Sequence, residues 1–165
     1  MRSLYLLSVY LHILATVLWL GGMMFLALIA LPSLRRLEDA PTRARLLSEI
    51  GRRFRGVGWV AVGVLVLTGS LNAVGRWGWS TLTAPPFWSS EPGRLLSAKL
   101  VLVAVMVLLS AGHDFVLGPR VAALAASDPR DPQLARLRRG TVALARVELL
   151  LGLLVVALAV LIVRA

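Results

Sequence analysis

The chain of 165 residues contains no cysteine. Disulfides, thiolate metal ligands and thiol redox chemistry are therefore excluded. Lysine occurs once, as Lys99, against seventeen arginines, and histidine twice, as His12 and His113. There is no Gly-rich phosphate cradle of the GxxxxGK[ST] type and no paired nucleophile–base motif, so phosphate-loop and triad chemistry have no candidates. Polar residues of any kind are scarce, since 58% of the chain is hydrophobic. The mean hydropathy is +0.82, too apolar for an ordinary soluble domain, which is about half apolar.

What is present is four long apolar runs, roughly 4–34, 57–75, 94–117 and 141–163. Each is near or above the ~20 residues that a spanning helix needs. Lipid offers no partner to an unpaired backbone group, so the spans are helical. The expectation is an all-α polytopic membrane protein, a single four-transmembrane-helix domain over residues 1–165 with no room for a soluble domain. The first run is much longer than the ~7–15 apolar residues of a signal peptide and reads as a retained helix.

The net charge of +10 fits membrane topology better than nucleic-acid binding. Seven arginines lie between the first two spans (Arg35, Arg36, Arg43, Arg45, Arg52, Arg53, Arg55) and five between the last two (Arg120, Arg130, Arg136, Arg138, Arg139). The middle loop carries little beyond Arg76 and Arg94. The positive-inside rule then places the two Arg-rich loops in the cytoplasm, against anionic lipid headgroups, and both termini outside. Residues 41–55 alternate Arg, Leu and Ile at helical spacing, which predicts an amphipathic segment on the inner surface. The middle loop, "GRWGWSTLTAPPFWSSEPG", carries the interfacial tryptophans Trp77, Trp79 and Trp88, and its prolines argue against a helix through it.

Height along a helix follows from a rise of about 1.5 Å per residue. His12 lies about 34 Å above Arg35, at the outer rim, and Lys99 and Asn72 fall near the same level on two other helices. His113 and Arg146 both lie about 10 Å above the inner arginines, with Asp114 and Glu148 close by. An inner polar lock of His113, Asp114, Arg146 and Glu148 is therefore expected, with an Asp114–Arg146 pair joining the third and fourth helices. His12, Thr16, Trp19 and Met23 share one face of the first helix. Lys99, Met106 and His113, seven apart, share a stripe of the third. Charged groups on these faces are expected inside the bundle, because lipid penalises them by a few kcal/mol each.

Histidine within a membrane bundle suggests metal, haem or proton transfer. His12, Met23, Met24 and Met106 offer ligands suited to Cu(I), descending from the outer rim. The alternative is haem b on His12, with Lys99, Asn72 and Trp19 around the cofactor. One haem on both histidines is disfavoured, since they differ by roughly 20 Å in height. A symmetric homodimer could bring two His12 residues together. A third reading is a structural subunit whose polar groups only join helices.

The stretches "VLTGSLNA", "GRLLSAKLVLVAVMVLLSA", "LGPRVAALA" and "LRRGTVALARVELLLGLLVVALAVL" resemble the membrane domain of the copper resistance protein D (CopD) family, from Arg52 to about Leu161. "LHILATVLWLGGMMFLALIALPSLRR" is similar to the segment that precedes that domain. The resemblance implies a four-helix unit linked to copper uptake or resistance at the bacterial inner membrane, with copper as ion and a periplasmic copper protein as partner. A more distant resemblance is to HemJ-type protoporphyrinogen oxidases, which pair a first-helix histidine with a third-helix lysine. His12 and Lys99 match those roles, implying haem or porphyrin and electron transfer between quinol or porphyrinogen and an acceptor. Whether the chain is an enzyme stays open at this point.

Overall fold

The computed structural model describes residues 2–128 and 130–164, and among them there are helices and no strands. Four helices are long and apolar enough to cross a membrane: α1 (Arg2–Arg35), α2 (Ala40–Trp77), α5 (Glu91–Ser127) and α6 (Pro132–Arg164). Two single-turn helices, α3 (Trp79–Thr83) and α4 (Pro85–Ser89), lie between α2 and α5. The chain divides into two compact units, Met1–Ser89 and Ser90–Ala165. In the first, α1 packs along α2; in the second, α5 packs along α6.

The helix starts are written in short polar side chains. Asp39 caps α2 by accepting the Thr42 N–H at 3.1 Å, with Pro41 in the first turn. Ser90 caps α5 by accepting the Gly93 N–H at 3.3 Å, with Glu91 and Pro92 beside it. These side chains satisfy backbone donors that the helix leaves unpaired. Gly78 ends α2 at φ +78°, a conformation open to glycine at little cost.

The helices are longer than hydropathy alone marks. Residues 41–55 do not form a separate surface helix; they are the first turns of the continuous 38-residue α2. At 1.5 Å per residue that helix is about 57 Å long, almost twice the ~30 Å hydrocarbon core. The Arg-rich turns therefore project beyond the apolar layer as part of the same rod. In the same way, most of "ASDPRDPQLARLRRG" is helical, and the connector between α5 and α6 is confined to residues 128–131. Its backbone is turned by Asp128 and Asp131, whose carboxylates accept the N–H of Arg130 at 3.0 Å and of Gln133 at 2.7 Å. The prolines of the middle loop open helices instead of preventing them, Pro85 and Pro86 in α4 and Pro92 in α5, because proline lacks only a donor that a first turn leaves unpaired anyway.

Two prolines sit inside spanning helices, Pro32 in α1 and Pro119 in α5. Each follows a wide π-helical turn, Leu26–Ala30 and Gly112–Leu117. The Leu31 N–H reaches the Leu26 carbonyl and the Gly118 N–H reaches the His113 carbonyl, both five residues back. The extra residue in the turn relieves the clash between a proline ring and the preceding turn, so the helix continues.

Large apolar side chains point outward on all four helices: Leu4, Val60, Leu108 and Leu150 are 72%, 69%, 71% and 65% exposed. In water this would be a liability; in lipid it is the expected surface. Many buried positions of the first unit are small or polar instead: Ser8, Ala15, Gly58, Ala61 and Thr68. Small residues let backbones approach, which matters where burial of apolar area gives no drive between helices.

Candidate functional site

The polar residues of the first unit gather toward its Arg-poor end. Thr68, 4% exposed on α2, donates its hydroxyl proton to the Val64 carbonyl at 2.6 Å. A hydroxyl has one proton, so Thr68 Oγ1 meets His12 Nδ1, 2.8 Å away, as an acceptor. The imidazole must then donate from Nδ1. In the neutral ring this places the lone pair on Nε2, the form in which imidazole binds a metal. The assignment follows from the hydrogen-bond network.

The surrounding groups hold that geometry. Ser8, one turn before His12, donates to the Thr68 carbonyl at 3.3 Å. Thr16, one turn after it, donates to the His12 carbonyl at 2.8 Å. Gly69 faces the imidazole, and a Cβ built there would lie 3.2 Å from His12 Cε1. Asn72 follows Thr68 by one turn on the same face of α2, and its buried Oδ1 has no hydrogen-bond partner. An amide oxygen withheld from water without a partner is costly, so it is a standing acceptor within the membrane.

The other sequence-derived candidates are spread out. Trp19 packs against Gly58, which a Cβ would bring to 3.6 Å from the indole. Met23 is half-buried and Met24 is 38% exposed. Eleven residues separate His12 from Met23, about 16 Å of helix, so the two cannot ligate one ion together. Lys99, half-buried, and Met106, 1% exposed, belong to the second unit. Among the described residues, no three of His, Asp and Glu converge as a metal site.

The second unit holds the other polar group. His113 Nδ1 lies 3.1 Å from Asp114 Oδ1 on the π-turn of α5. Glu148, on α6, is 7% exposed. Ser110, His113 and Asp114 are the polar groups of α5 on the side toward it, and the Gly112–Leu117 turn of α5 packs against α6. Arg146 is not part of this cluster: it is exposed, on a different side of α6, and the Asp114–Arg146 pair expected from depth is not formed among the described residues. Residues two apart on a helix point about 200° apart, and the burial pattern selects Glu148 as the inward one.

Sequence reasoning missed Ser8, Thr68 and Ser110. The signal was available: Ser8 precedes His12 by four, Thr68 precedes Asn72 by four, and Ser110 precedes His113 by three, spacings that share a helix face.

A family model described as Copper resistance protein D matches residues 48–162. An uncharacterized protein of Aquifex aeolicus (strain VF5) is 30% identical over 115 residues, which is 69% of this chain and 71% of that one. No solved structure matches. The family match takes in Thr68, Asn72, Lys99, Met106 and the His113–Glu148 cluster, and begins after His12. Neither comparison supports the haem reading.

Proposed function

The chain belongs to the copper resistance protein D family, and from that premise we propose that it handles copper as cargo at the bacterial inner membrane, taking the ion at His12. The observation that carries the reading is the Val64–Thr68–His12 hydrogen-bond chain. It holds a buried-side imidazole in the tautomer that presents Nε2 as ligand, at the Arg-poor end of a membrane unit.

The wide spacing of the soft donors fits movement better than storage. A resident copper site gathers its ligands, whereas His12 and the consecutive Met23 and Met24 form separated stations down α1. Cu(I) accepts low coordination by imidazole and thioether, so each station would hold the ion weakly and release it. Asn72 is a supporting residue in this account, by its unpartnered Oδ1. A periplasmic copper protein is the natural donor, because the positive-inside rule puts the His12 end outside. With no cysteine in the chain, single-cysteine variants report that topology without background. S89C should react with a membrane-impermeant thiol reagent in intact spheroplasts, and S127C only after lysis. The reverse pattern would invert the proposed orientation.

The binding test is equilibrium dialysis of the detergent-purified full chain against Cu(I). His12→Ala should lose bound copper, while His113→Ala should keep it. Unchanged copper stoichiometry in His12→Ala contradicts the assignment.

A further inference from the structure

The second unit contains a feature that copper handling does not use. Glu148 is more than nine-tenths buried in a membrane-spanning helix, and its Oε1 has no hydrogen-bond partner. A purely structural carboxylate would have both oxygens satisfied, since an unpaired buried polar atom costs about 1–3 kcal/mol and more when charged. The wide turn Gly112–Leu117 of α5, which carries His113 and Asp114, packs against α6, so the polar groups on the side of α5 toward Glu148 are Ser110, His113 and Asp114. The same imidazole is paired through Nδ1 with Asp114, 3.1 Å away. The Asp114 and His113 side chains are 18% and 33% exposed, so the cluster grades from Glu148 toward a more open side.

The backbone supports the same conclusion. His113 and Asp114 sit on the wide turn Gly112–Leu117 that carries α5 past Pro119. Wide turns of this kind recur where a helix must present side chains in a way that a regular turn would not. Ionisable groups inside a membrane are costly and tend to be retained for ion or proton movement.

We propose that Ser110, His113, Asp114 and Glu148 form a proton-binding and transfer station within the α5–α6 unit, in which one proton passes between the Glu148 carboxyl and the His113 imidazole. The step moves a proton only. The carboxylic acid becomes carboxylate as the imidazole becomes imidazolium, and no oxidant, reductant or metal takes part. Asp114 holds the imidazole in place and stabilises its cationic form. Ser110 stands one turn from His113, on the side of α5 toward the carboxyl. The station stands whether or not His12 binds copper.

The test is pH-difference infrared spectroscopy of the full-length chain in lipid vesicles, with 15N-histidine NMR on matched samples. The wild type should show a carboxylic-acid C=O band that titrates. Glu148→Gln should lose that band and Asp114→Asn should keep it. If the two groups share a proton, each feels the other by about one pH unit or more. His113→Gln should therefore move the midpoint of the Glu148 band by that amount, and Glu148→Gln should move the midpoint of the His113 ring. A band that survives Glu148→Gln, or midpoints indifferent to the partner's replacement, would overturn the proposal and leave the cluster as a helix-joining contact. If Glu148→Gln fails to fold, the band midpoint in His113→Gln alone decides between these outcomes.

Discussion

Each unit of the molecule is a pair of long helices, one with a proline and a wide turn, and each holds one histidine. The two histidines are set in opposite chemistry. Neutral groups stand beside His12: the Thr68 hydroxyl on its Nδ1, a Ser8 hydroxyl one turn away, and a glycine against its ring. His113 is flanked by carboxyl groups, with Asp114 on its Nδ1 and Glu148 near. A neutral acceptor on Nδ1 fixes a tautomer, which suits a ligand. Carboxyl neighbours can exchange a proton with the ring, which suits a proton carrier. The same residue type in two similar frames is thus directed to two tasks by what its Nδ1 meets.

That contrast can be strained at several points. The largest effect is expected at Gly75, where a Cβ would strike the ring of Tyr5. Gly75→Val should force α1 away from α2 and lower stability by about 1–3 kcal/mol, the usual cost of overpacking, read as a lower thermal unfolding midpoint of the purified protein. A midpoint equal to wild type would mean that this contact does not hold the first unit together. Thr68→Val keeps the side-chain shape and removes the acceptor for His12. Loss of such an orienting partner typically weakens metal binding 10- to 100-fold, so Cu(I) affinity should fall by about that factor while the fold persists. Unaltered affinity would remove Thr68 from the account. The smallest effect is expected at Arg146, which is exposed and outside the Glu148 cluster. Arg146→Gln should change stability by less than about 0.5 kcal/mol; a large loss would restore it to the inner lock.

The spans were legible in the sequence because lipid imposes a length and a polarity that composition displays directly. The helix ends were not. Arginine-rich turns such as Arg43–Arg55 look like a different element when read by hydropathy, yet nothing in them breaks a helix, and α2 runs through. Pro119 looks like a terminus, yet the Gly112–Leu117 turn absorbs it, and hydropathy carries no trace of a wide turn. Among the polar residues, depth along the axis puts His113, Asp114, Arg146 and Glu148 at one level, but rise per residue gives height and not direction, so it does not tell the buried Glu148 from the exposed Arg146. Thr68 was passed over because a lone threonine in an apolar run is common; its meaning comes from the histidine on the other helix.

The division of labour between the two histidines is tested most directly by 15N-histidine NMR of the full-length protein titrated with Cu(I). The account predicts that the Nε2 resonance of His12 moves while both resonances of His113 stay in place. Movement of His113 alone, or of neither ring, would contradict it.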